Sequence, residues 1–201
     1  MKFDSYEYIS VIVPGFVVLI AASHVYPAIL PVLKTNLTLG DLGVALIIAF
    51  VTGHLLQAVG NLLETIIWKF KGGMPTRWAT KPKTTLLTAA QLSRLGKKLE
   101  TDFSSDLASL ENDRAPVREI YLRLQKAEKS EMIDKFNRNY GLMRGIAVAL
   151  IISTIIIFLH DPFNWKGALG LATLSAIALY RMIRFGIYYA RELYVEYLNL
   201  E

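Results

Sequence analysis

Apolar positions along this chain gather into four long stretches, interrupted by one extended polar segment and two short turns. The first runs from about Ile9 to Ala22 and reaches toward Leu33. The second is Leu42 to Phe70, the third Leu142 to Leu159, and the fourth Trp165 to about Tyr188. Unbroken apolar runs of about this length predict helices able to cross a ~30 Å hydrocarbon core. Pro14-Gly15 removes a backbone hydrogen bond inside the first, which should loosen it, and Pro27 and Pro31 predict that its helix stops near His24. Thr38 or Asp41 can cap the second helix, and Gly72-Gly73 with Pro75 mark its end.

Between Phe70 and Leu142 the pattern turns amphipathic. Thr84 to about Ser109 predicts a helix with Leu87, Leu92, Leu95, Leu99 and Phe103 on one side. Glu111-Asn112-Asp113 breaks it, and Pro116 suits the first turn of the next helix. From Val117 onward Ile120, Leu124, Ala127 and Glu131 trace one face, with no strong breaker before Gly141. One helix running straight into the third span is therefore expected. The fold class is an all-α membrane protein: four transmembrane helices as two hairpins with a cytoplasmic helical extension. Residues 1–70 form the first hairpin, 71–141 the cytoplasmic segment, 142–190 the second hairpin and 191–201 a cytoplasmic tail.

The second stretch carries polar residues that a plain anchor would not need. His54, Gln57, Asn61 and Glu64 follow at spacings of three, four and three, so they share one side of a helix. Counted from Leu42 at ~1.5 Å per residue, His54 sits about 18 Å in, near the membrane midplane, and Glu64 nears the far interface. Polar groups at such depth are costly unless they face protein or water. The stripe is read either as the lining of an ion path or as hydrogen-bonding glue between helices, with Gly53 and Gly60 permitting close approach.

Charge is segregated. Sixteen of the 22 Lys and Arg lie between Lys69 and Arg144 against nine of the 17 acids, a balance of +7; the remainder, with six bases and eight acids, balances at −2. The excess predicts a cytoplasmic middle segment, both termini inside and a bacterial inner-membrane location. Lys69, Lys71, Arg77, Lys81 and Lys83 beside Trp68 and Trp78 suit contact with anionic lipid or an anionic ligand. Nucleic acid is not an expected partner, since no recognition motif accompanies the charge. Arg181, Arg184, Tyr188 and Arg191 read as interfacial anchors.

With no cysteine, thiolate chemistry and disulfides are excluded. No HExxH, GxSxG, Walker A or GxGxxG pattern is present, so neither catalysis nor a cofactor is expected. His54 and Glu64 are about 15 Å apart along one helix and cannot share an ion within the chain, and His24 with His160 lacks a third ligand.

Tyr6-Glu7-Tyr8 with Val11-Ile12-Val13-Pro14-Gly15, followed by Gly53-His54, Gln57, Gly60-Asn61 and Glu64, resembles small four-span bacterial membrane proteins of anti-phage defence systems. The resemblance covers about the first third of the chain and implies a membrane-disrupting effector or a membrane-bound sensor. The expectation is a homo-oligomer whose second helices line a gated ion path, constricted at His54 and Gln57, with the helical extension receiving the gating signal. The alternative is a non-conducting scaffold or sensor that docks a cytoplasmic partner protein on Leu95, Leu99 and Phe103.

Overall fold

The computed structural model describes residues 5–26, 38–81, 85–104, 106–112, 115–161 and 163–200. Pro27, Pro31 and Lys83 fall outside them. The regular secondary structure of the described residues is all helical, without strands. In chain order the helices are α1 (Ser5–Val25), α2 (Leu39–Phe70), α3 (Ala89–Phe103), α4 (Ser109–Asn112), α5 (Ala115–Lys126), α6 (Glu131–His160) and α7 (Trp165–Leu198), with a short 3₁₀ turn at Pro75–Thr80. Four of them, α1, α2, α6 and α7, are long and apolar enough to cross a membrane.

Helix ends follow local chemistry. Thr38 Oγ1 accepts from the Asp41 N–H (3.2 Å) while Asp41 Oδ2 accepts from the Thr38 N–H (3.1 Å), a reciprocal box at the start of α2. At its other end Gly72 and Gly73 take φ of +79° and +98°, which lets the Gly73 N–H reach the Trp68 carbonyl at 2.7 Å and close the last turn. Thr88 and Gln91 form the same kind of box before α3, so that helix starts at Ala89 rather than Thr84.

The single helix expected from Val117 into the third span is two helices. Lys129 N–H bonds to Leu124 O (2.9 Å) and Glu128 N–H to Gln125 O (3.1 Å), with Glu128 at φ +58°. This is a left-handed helix stop without the glycine that usually announces it. Ser130 then starts α6, its Oγ donating to Asp134 Oδ2 at 2.8 Å. The break leaves Ala127 and Glu131 exposed while Ile120 and Leu124 are buried.

The chain divides into two compact units, and the division cuts across the four-segment plan read from the sequence. One comprises Met1–Ile66 with Arg138–Met182, the other Ile67–Asn137 with Ile183–Glu201. In the first unit, α1 and α2 meet backbone to backbone. A Cβ placed on Gly15 would overlap the Ala49 carbonyl oxygen, and one on Gly53 the Val11 carbonyl oxygen. With Ala45 and Ala49 also buried, this is a small-residue contact of the kind that joins membrane helices. Leu56 of α2 packs with Val148 and Ala149 of α6, and Ser175 of α7 donates to the Ala147 carbonyl of α6 at 3.2 Å.

The second unit has its own core. Leu95 and Leu99 of α3, Ile120 and Leu124 of α5, and Leu193, Tyr194 and Tyr197 of α7 are all at most 1% exposed. The tail is therefore part of this core and not a separate extension. Tyr197 donates to Asp102 at 2.7 Å, Asp102 pairs with Arg123 at 3.0 Å, and the Arg123 guanidinium lies 4.4 Å from the Phe103 ring centroid. Arg191, expected as an interfacial anchor, instead donates to the Thr85 and Leu86 carbonyls.

Candidate functional site

The four polar residues of α2 do lie toward one side, but the structure divides them. Gln57 and Glu64 turn toward α6 and are engaged within the chain; His54 and Asn61 are exposed. The division begins at Pro14. Proline has no N–H, so the Ser10 carbonyl four residues earlier loses its helical donor. Gln57 Nε2 supplies one at 3.1 Å, and the same nitrogen contacts the Gly141 carbonyl of α6 at 3.4 Å. Helix α1 runs unbroken through Pro14.

With its nitrogen committed to α1 and α6, Gln57 presents Oε1 to Arg144, whose Nη2 donates at 3.1 Å. Arg144 Nη1 pairs with Glu64, and both side chains of that pair are less than one-fifth exposed. Arg144 also stands 5.9 Å from the Tyr140 ring centroid, while its Nε is buried and without an acceptor. Glycines make room for the arrangement. A Cβ on Gly145 would come within 2.9 Å of both Gln57 Nε2 and Pro14 Cγ, and one on Gly60 within 3.1 Å of Arg144 Cγ.

Arg144 is the residue that sequence reasoning missed as a site. Its charge counts with the loop bases, yet it lies past Leu142 inside an apolar run, with Gly141 three residues before it and Gly145 next to it. A lone cation there calls for an anion on a neighbouring helix, and Glu64 was within the α2 stripe. Expected to meet water near the interface, Glu64 meets Arg144 instead.

On the exposed side, the His54 ring meets Phe50 edge-on, with centroids 4.5 Å apart. Asn61 lies two turns on, and Thr65 donates to the Asn61 carbonyl at 2.9 Å. Neighbouring exposed positions on α2 are aliphatic, with Leu55 65% and Leu62 67% exposed.

Of the basic border, Lys69 and Lys71 are exposed on either side of Phe70, itself 87% exposed. Lys81 donates to the Gly72 carbonyl and stands 5.6 Å from the Trp78 centroid, and Arg77 is half-buried in the same turn. Leu95 and Leu99, expected as a docking face, are fully consumed by the core of the second unit, and Phe103 stacks on Tyr197 at 6.2 Å. Among the described residues no three His, Asp or Glu side chains gather as a metal site would require. Comparison with protein-family models, curated proteins and solved structures returns no match to this chain.

Proposed function

We propose that this chain is a multi-pass protein of the bacterial inner membrane that assembles as a homo-oligomer and opens a gated ion path bordered by α2. The observation that carries the reading is His54, exposed with Asn61 in the interior of a helix whose other exposed side chains are mainly aliphatic. Polar side chains at that depth are stable against water or protein and costly against lipid. Gln57 drops out of the constriction first expected, because its hydrogen bonds are made inside the chain. His54 and Asn61 remain to line the path.

The excess of basic residues between Lys69 and Arg144 supports a cytoplasmic middle segment with both termini inside. Exposed Lys69, Phe70 and Lys71 suit contact with anionic lipid headgroups, two cations flanking an aromatic ring. The resemblance to four-span defence proteins favours an anti-phage effector as the setting. A scaffold that docks a partner on Leu95, Leu99 and Phe103 would need a different face. The test is ion flux from vesicles carrying the purified protein, read with a potential-sensitive dye. Wild type should dissipate an imposed potential and His54→Leu should not, at equal incorporation. A tight wild-type vesicle would overturn the proposal.

A further inference from the structure

The exposed surface of α2 sorts into two rows. One row, at alternating spacings of four and three, reads Ile47, Val51, His54, Ala58, Asn61 and Thr65, every member exposed. Beside it run Leu55 and Leu62, larger and wholly aliphatic, the composition expected against lipid tails. The first row holds β-branched, small and polar side chains, the composition of a helix–helix seam in which every 3.5 residues meets a partner. We infer that this row is the self-association surface of the protein and that its occupant, while the ion path is closed, is α2 of a second copy, packed in parallel. The inference rests on the oligomeric reading above.

A second copy is favoured over a different protein because the row is complementary to itself. Copies insert in one orientation and are related by rotation about the membrane normal, so each residue of α2 meets its own counterpart at the same depth. An unlike partner would need matching polar groups at each depth. This row needs none: neutral His and Asn each carry both a donor and an acceptor and can pair with a copy of themselves. Ala58, between His54 and Asn61, lets the backbones close, and Val51 and Ile47 continue the contact without a polar group. Asn61 favours the in-register pairing, since a slip of one turn would exchange its amide–amide contact for Ala58 or for the Thr65 hydroxyl. Thr65 spends its proton on the Asn61 carbonyl and keeps its lone pairs for a neighbour.

The chain lacks cysteine, so single-cysteine variants report proximity directly. Val51→Cys, Ala58→Cys and Thr65→Cys would each be oxidised in native membranes beside Leu55→Cys, Leu62→Cys and, on α7, Thr173→Cys. The expected result is covalent dimer forming several-fold faster at the three row positions than at the other three. Faster cross-linking at Leu55, Leu62 or Thr173 overturns the seam and leaves oligomerisation standing. No cross-link at any position, with a monomer by light scattering, overturns both. Row-selective cross-linking in a protein whose vesicles hold their potential upholds the seam and removes the ion path. Membrane yield equal to wild type screens each variant for folding, and Asn61→Leu should lower the cross-linked fraction of Ala58→Cys.

Discussion

Breaking the Glu64–Arg144 pair one partner at a time should destabilise the membrane unit far more than removing both. Each side chain of the pair is under one-fifth exposed, so little water is available to replace a lost partner. In Glu64→Leu, the guanidinium loses its carboxylate while its Nε already lacks an acceptor. The bond to Gln57 Oε1 and the Tyr140 ring remain. Stranding one member of a buried pair costs ~3–5 kcal/mol, and the residual Gln57 bond and partial exposure place this case near about 3. Arg144→Leu strands the carboxylate and also frees Gln57 Oε1, with a similar cost. The double variant strands neither charge. It fills the space with two leucines and forfeits one Gln57 hydrogen bond, about 1 kcal/mol. Additivity would put the double variant near ~6 kcal/mol, so the cycle separates the two outcomes widely. The assay is reversible unfolding in mixed micelles by increasing SDS, followed by circular dichroism. Additive losses, or single variants within ~0.5 kcal/mol of wild type, would refute an ion pair that holds α2 to α6.

Other perturbations reach separate parts of the molecule. Gly15→Val and Gly53→Val should each cost more than ~3 kcal/mol in the same unfolding assay, since a Cβ at either position overlaps a carbonyl of the facing helix. Gly43→Ala, which meets nothing within 4 Å, should stay within ~0.5 kcal/mol and serves as the control. A peptide of residues 85–137 should lack a cooperative thermal transition by circular dichroism, and one carrying residues 183–200 on a flexible linker should gain it. The reason is that Leu193, Tyr194 and Tyr197 fill the core between α3 and α5. Reporter fusions after Lys98 and after Glu201 should both read as cytoplasmic; a periplasmic signal from either would overturn the orientation inferred from the basic residues.

The four spans were legible because each rests on a contiguous property of the chain, apolar length, which needs no knowledge of neighbours. The helix stop at Ala127–Ser130 was not, because Glu128 adopts a left-handed conformation in a sequence with no glycine or proline to mark it. The two Leu residues of α3 were recognised as a buried-type stripe, but the pattern says only that a face is covered and not by what. Their cover is α7, whose Tyr194 and Tyr197 lie about a hundred residues further along. Periodicity identifies a face; only the fold names its occupant.

The polar stripe was legible as a set of residues but not in its partners. Spacings of three and four place His54, Gln57, Asn61 and Glu64 together, yet they span an arc wide enough to border two surfaces. What assigns Gln57 to the inner one lies in another helix, the Ser10 carbonyl to which Pro14 can offer no N–H and to which Gln57 donates. Reading Pro14 as a cost to α1 alone hid its consequence for α2. Once Ser10 claims the Gln57 amide nitrogen, its oxygen is turned to Arg144, and Arg144 in turn commits Glu64. Each step satisfies a group that the apolar surroundings would otherwise penalise. His54 and Asn61 are outside that chain of commitments. Their side-chain donors and acceptors stay exposed, and the same physics that closes the inner network makes lipid a costly neighbour for the outer pair.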